Sequence, residues 1–352
     1  MSFKLENILR ENIKKLVPYS SARDEFKGEA NIFLDANENS YGSPLPLGAG
    51  QFNRYPDPLQ LKLKEKISKI KGIPAQNIFL GNGSDEAIDI LYRAFCDPGK
   101  DNVILNLPTY GMFEVSANIN DVAVRKVNLT ENFQLNVEKI SEAIDGKTKL
   151  IFICSPNNPT GNSMDRESIE TILNNFDGIV VVDEAYINFS KQKSFISELG
   201  EYKNLVVMQT LSKAWGMAGL RIGMAFASKE IISVFNKIKP PYNINEASQQ
   251  FALKALDNIE QVNNWIREIV TEREELVKSL SGFSFVSKLF STDANFILAK
   301  TTSPKNIYDY LVKNGIIVRD RSNVILCEGC LRITVGTKEE NKKLLDVLNQ
   351  YK

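Results

Sequence analysis

The chain has 352 residues, 43% apolar and 24% charged, which suits two domains or one large α/β domain with an appendage. Its 43 basic residues balance its 43 acidic ones, leaving no net field to draw nucleic acid or an anionic membrane. There is no histidine, so Ser-His-Asp and Cys-His catalysis, the H-E-x-x-H zinc site and imidazole acid–base chemistry are excluded, and any reaction must rest on Lys, Tyr, Asp, Glu, Cys or a cofactor.

The opening MSFKLENILRENIKKL is too polar for a signal peptide, and Leu5, Ile8, Leu9 and Leu16 predict a short amphipathic helix in it. No apolar run reaches the ~20 residues needed to cross a bilayer. The basic run KLKEKISKIKG, from Lys62, carries Leu61, Ile67 and Ile70 at helical spacing and is expected to be a solvated helix face. From Asn31 to about Ser228, short β-rich runs alternate with helical patterns: NIFLDAN, NIFLG, NVILN, AVRKV, KLIFIC, GIVVVDEAY, LVVMQT and RIGMAFA. Runs such as IVVV are apolar on both faces, which predicts a buried, mostly parallel sheet flanked by helices. Functional residues then belong at the carboxyl ends of its strands.

A long helical stretch, 243–280, follows, after which the pattern becomes strand, strand, helix, strand, strand, helix, a small α+β domain with its own antiparallel sheet. The expected division is an N-terminal segment 1–30 packing on the small domain or a partner subunit, a large domain 31–257 and a small domain 258–352. Four cysteines make no disulfide framework, so a reducing cytoplasm is the expected location. CEGC, Cys327 to Cys330, has no second pair to complete a zinc site and reads as two thiols in a turn before a strand.

Four strand ends carry polar clusters. LGNGSDEAIDILYRAF, from Leu80, is a strand, a glycine turn and a helix start, with Ile88, Leu91, Tyr92 and Phe95 on one helical face. Such a start can bind an anion, although Asp85 and Glu86 could equally be ordinary first-turn acids. CSPNNPTG, 154–161, is a stiff turn after KLIFI. GIVVVDEAY runs straight from buried strand into Asp183, Glu184 and Tyr186; a buried carboxylate needs a positive partner, unless Asp183 only caps the next helix. TLSKAWGMAGLRIG adds Ser212, Lys213 and Arg221 after LVVMQ. Together these offer a phosphate cup, an amine able to capture an aldehyde and a carboxylate, the equipment for pyridoxal 5′-phosphate.

On SPNNPTG, VVDEAY and SKAWGMAGLRIG, in that order, the chain closely resembles the aspartate-aminotransferase-like group of pyridoxal-phosphate enzymes, and within it the histidinol-phosphate aminotransferase family. The resemblance runs from PYSSAR to CLRITVGT. It implies that Lys213 captures the cofactor aldehyde, that Asp183 pairs with the ring nitrogen, and that Asn158 and Tyr186 contact the ring hydroxyl. Tyr110 would stack on the pyridine, and Ser84, Asp85, Ser212 and Arg221 would hold the cofactor phosphate. Tyr55, in NRYPDP, would reach that phosphate from the other subunit of a homodimer. Arg332 and Arg319 would hold the anionic end of the substrate, with Tyr19 adding a hydroxyl.

The implied reaction moves an amino group between L-histidinol phosphate and 2-oxoglutarate, a step of histidine biosynthesis. Threonine-phosphate decarboxylase and aromatic amino-acid aminotransferase share the same motifs, and PYSSAR with IIVRDR…CLRITVGT fits the first reading better. A non-enzymatic regulator would need an attached DNA-binding module, and neither a spare N-terminal domain nor a basic patch is read here, so an enzyme is expected. One departure is visible: Ser40 follows NEN where the family often has proline.

Overall fold

The computed structural model describes residues 3–19, 34–45 and 52–351. Among the described residues, the large sheet has the order β1-β7-β6-β5-β4-β2-β3. Its strands are β1 (Ile78–Asn82), β2 (Asn102–Leu107), β3 (Ala123–Asn128), β4 (Thr148–Cys154), β5 (Ile179–Asp183), β6 (Leu205–Thr210) and β7 (Ile222–Phe226). The run β6-β5-β4-β2-β3 is parallel throughout. β7 is antiparallel to both β6 and β1. Every residue of β5 and β6 is buried, as their two-sided apolar sequences require.

The pleat divides these side chains between two cores. Val180, Val182, Leu205 and Val207 pack on one face with Ile169, Ile172 and Leu173 of the helix Arg166–Asn175. Ile179, Val181, Val206 and Met208 pack on the other with the helix Ser84–Phe95. Ile88, Leu91, Tyr92 and Phe95 of that helix are all fully buried, each contributing roughly 1.5–3 kcal/mol of transfer free energy. Later helices include Met112–Ile119, Lys229–Ile238, Ile259–Leu280, Pro304–Lys313 and Lys338–Leu348.

The smaller sheet is antiparallel, in the order β10-β11-β9-β8, with β8 (Val286–Leu289), β9 (Phe296–Thr301), β10 (Arg319–Asp320) and β11 (Cys330–Thr334). Its core joins Ile297, Leu331 and Ile333 to Ile307, Leu311 and Leu344 of the helices 304–313 and 338–348. The helix 259–280 links the two bodies: Val262 belongs to a core of the large sheet, Leu276 and Leu280 to that of the small one. Cys330 donates its N–H to the Cys327 carbonyl, so CEGC is a turn leading into β11, and both cysteines are buried free thiols. No helix among the described residues is long and apolar enough to cross a membrane.

Four sequence expectations need correction or restriction. NIFLDAN lies partly outside the described residues, and 34–37 form no strand. The single N-terminal helix is two short ones, Leu5–Ile8 and Glu11–Lys15, broken where the Arg10 N–H donates to the Ala94 carbonyl. Residues 3–19 of the N-terminal segment pack on the large body, where Ile8 and Ile13 enter its core and Lys237 donates to the Ile13 carbonyl. The basic helix Leu61–Lys71 is phased differently from the expected face: Leu63 and Ile67 are buried while Leu61 is exposed. Lys64 is buried with them, and burial, followed by the nearby Lys239 charge, pulls its pKa down to about 8.

Candidate active site

The carboxyl ends of β1, β2, β4, β5 and β6 open onto one cavity of about 770 Å³. β7 runs the other way, which brings its amino end, with Arg221 just before it, to the same edge. Ser84, Asp85, Tyr110, Asn158, Asp183, Tyr186, Ser212, Lys213, Arg221, Arg319 and Arg332 all line this cavity. Eleven residues scattered over some 250 positions therefore meet at one place.

At one end lies the start of the helix 84–95. Its N-cap residue is Gly83, at φ +73°, and no side chain caps the first turn. The first N–H groups of such a helix lack intrahelical partners and face the positive end of its dipole. The Gly83 N–H donates to the Arg221 carbonyl at 2.7 Å, which fixes the turn against β7. Arg221 itself adopts a left-handed backbone at φ 54°, and its guanidinium lies 3.5 Å from Asp85. Ser212 is oriented by Thr210, whose hydroxyl is 3.0 Å from the Ser212 Oγ. The free helix N–H groups, the Ser212 hydroxyl and the Arg221 guanidinium at this end can all donate to an anion.

In the middle, Asp183 ends β5, paired in register with Cys154 and Met208. It is buried, and its Oδ1 accepts the Ala185 N–H at 3.0 Å. Burial pushes its pKa up to about 7, with the Glu184 carboxylate adding to the rise and Lys213 opposing it. No described cation is within ion-pair distance of Asp183, so its environment favours a cationic group in the cavity.

Lys213 is accessible through the cavity mouth, with its Nζ 5.6 Å from the centre of the Tyr186 ring. The protein around it, and then the Arg332 guanidinium, lower its pKa, outweighing the opposing pull of Asp183. Tyr110 donates its hydroxyl to Asp85 at 3.1 Å. Tyr186 is buried, its ring set edge-on to Phe296 at 5.2 Å. Burial is the main cause raising the pKa of both tyrosines, so both stay protonated donors.

The far end belongs to the small sheet. Arg332 donates to Asn158 Oδ1 and lies over the Phe296 ring, 5.2 Å from its centre. It faces Arg319 across the β10–β11 pair. Arg321, which sequence reasoning passed over, lines the same end. β10 ends at Asp320, so no alternation in the sequence marks it.

Two expected residues are not brought here. Tyr55 is half exposed, its ring stacked on Tyr242 at 4.5 Å. Tyr19 is 75% exposed and borders a separate depression with Pro58, Lys237 and Pro241, because the N-terminal segment is tied to the helices 84–95 and 229–238.

The donor set fits pyridoxal phosphate: a phosphate cup, a buried carboxylate without a cation, and a lysine of lowered basicity, in one pocket. A model of class I and II aminotransferases matches residues 34–348, so the chain belongs to that family. Histidinol-phosphate aminotransferase from Cytophaga hutchinsonii is 57% identical to it over 351 residues, covering the whole of both chains. The histidinol-phosphate aminotransferase structure from Clostridium acetobutylicum is similar at 27% identity and TM-score 0.78, over 84% of this chain and 90% of that one. That from Sinorhizobium meliloti, in complex with pyridoxal-5′-phosphate, shares the fold at TM-score 0.78 and 22% identity, over 90% of each chain.

Proposed function

We propose that the chain is a pyridoxal-phosphate-dependent histidinol-phosphate aminotransferase, exchanging the amino group of L-histidinol phosphate with 2-oxoglutarate to give imidazole-acetol phosphate and L-glutamate. The observation that carries this reading is the two-ended cavity: one phosphate cup at the helix 84–95 and a second cationic end at Arg319 and Arg332. One anion site suffices for the cofactor phosphate; the other suits an anionic substrate. Identity of 57% across the whole chain supports the finer choice over the decarboxylase and the aromatic aminotransferase.

When bound, the cofactor supplies an aldehyde for the substrate amine and a protonated ring that accepts the electron pair released as the Cα–H bond breaks. Ser84, Asp85, Ser212 and Arg221 would hold its phosphate. Asp183 would keep the ring nitrogen charged, which matches a buried carboxylate in want of a cation. Asn158 and Tyr186 would hold the ring hydroxyl, and Tyr110 would cover the ring face. Lys213 would hold the aldehyde at rest and, once the substrate amine has displaced it, would carry the proton from the substrate Cα to the cofactor's aldehyde carbon. A lowered pKa makes its neutral form available for that work. Arg221 cannot take this part, since guanidinium stays protonated.

Tyr55 and Tyr19, both exposed and outside this cavity, would serve the site of a second copy, Tyr55 at the cofactor phosphate and Tyr19 at the substrate. The working form would thus be a cytoplasmic homodimer. The test is glutamate formation from 2-oxoglutarate with L-histidinol phosphate, L-phenylalanine or L-threonine phosphate as donor. Catalytic efficiency at least tenfold higher with L-histidinol phosphate is expected; equal or better use of L-phenylalanine would overturn the assignment.

A further inference from the structure

The small-sheet end of the cavity carries more positive charge than one substrate carboxylate requires. Arg319 and Arg332 are direct cross-strand partners, a pairing that like charges make unfavourable. Arg321 extends the same ladder: its N–H donates to the Cys330 carbonyl at 2.9 Å, and the pleat sets its side chain on the face of Arg319. All three line the cavity. Among the described residues, no carboxylate lies within ion-pair distance of any of them.

Arg321 is the least satisfied of the three. Its Nε is buried and has no hydrogen-bond partner among the described residues, whereas Arg332 has Asn158. A buried donor without an acceptor is rare, and with no acceptor on its Nε the Arg321 guanidinium is not held away from the cavity that the residue lines. A carboxylate has two oxygens and one charge, which a single two-pronged arginine matches. A phosphate monoester has three terminal oxygens and close to two charges at neutral pH, which three guanidiniums match better.

We propose that Arg321 is a third phosphate-binding arginine of the substrate pocket and sets the preference of this site for a phosphate monoester over a carboxylate. The proposal deepens the functional reading above and rests on it.

The test uses the cofactor-loaded protein as wild type, Arg321→Gln, Arg321→Lys and, as a control on the exposed side of the helix 259–280, Arg267→Gln. Inorganic phosphate is titrated by calorimetry, and KM and kcat are measured for L-histidinol phosphate and for L-phenylalanine. In Arg321→Gln, phosphate affinity falls roughly tenfold or more, the scale of a lost charge-assisted hydrogen bond. KM for L-histidinol phosphate rises alike with kcat nearly kept, and KM for L-phenylalanine stays put. Arg321→Lys recovers part of the loss, since it restores charge without the planar fork. Unchanged phosphate affinity in Arg321→Gln, no phosphate binding by wild type, or an equal KM rise for both donors would overturn the proposal. If wild type fails to use L-histidinol phosphate, the functional reading falls, and the calorimetry still decides whether Arg321 binds phosphate.

Discussion

Gly223→Ala should damage the cofactor site without touching any group that does chemistry. Gly223 lies in β7, in register with Gly81 of β1. A Cβ built on it would sit 2.3 Å from both the Gly83 carbonyl carbon and the Ser84 nitrogen, and 2.6 Å from the Gly83 oxygen. These are backbone atoms, so no rotamer change relieves the contact. Ordinary van der Waals contact begins near 3.4 Å, so the turn at 83–84 must retreat by about 1 Å. Overpacking of this kind costs about 1–3 kcal/mol, a fall in Tm of roughly 1–4 °C for a chain of this size. The same retreat carries the first N–H groups of the helix 84–95 away from the cofactor phosphate. Losing one charge-assisted hydrogen bond there weakens cofactor binding by about tenfold or more. Gly219→Ala is the matched control, since nothing lies within 4 Å of a Cβ at that position. Thermal unfolding and cofactor titration of both variants check this. Wild-type Tm and cofactor affinity in Gly223→Ala would refute the close-approach argument.

Lys213→Ala should keep the fold and non-covalent cofactor binding while turnover falls by roughly 10²–10⁴-fold or more, measured as glutamate formed; retention of a tenth of the rate would remove Lys213 from proton transfer. Arg319→Gln should raise KM for L-histidinol phosphate by about tenfold with little change in kcat, because a binding rather than a reacting contact is lost; a fall in kcat alone would place it elsewhere in the cycle. The cofactor-free protein should lose stability as pH rises from about 4 to about 7. Asp183, with a folded pKa pushed up to about 7, holds its proton more tightly folded than unfolded, so the folded form loses ground across that window. Glu184, also raised by burial, acts in the same direction. Asp183→Asn should flatten part of this slope in urea midpoints measured across the window, and an identical slope in the variant would contradict the raised pKa.

The sheet was legible because its strands are buried on both faces and spell it out as apolar runs. The site was legible for a related reason: in a parallel sheet, polar residues directly after such runs collect at one edge. Asp183 shows this most clearly, being four apolar residues and then a charge. What escaped was set by contacts distant in sequence. The helix 61–71 buries Leu63 rather than Leu61, a phase fixed by packing on the sheet core, and no local pattern announces that Lys64 is buried too. Arg321 escaped because β10 is only Arg319–Asp320, too short to display alternation. The break at Leu9 in the N-terminal helix depends on Arg10 meeting the end of a helix more than eighty residues away.

The most direct test of the assigned reaction is the absorption spectrum of the cofactor-loaded protein during titration with L-histidinol phosphate. The expected result is conversion of the pyridoxal band to a pyridoxamine band, saturating at one substrate per site and reversed by 2-oxoglutarate. A pyridoxal band that L-histidinol phosphate leaves unmoved would contradict the assignment.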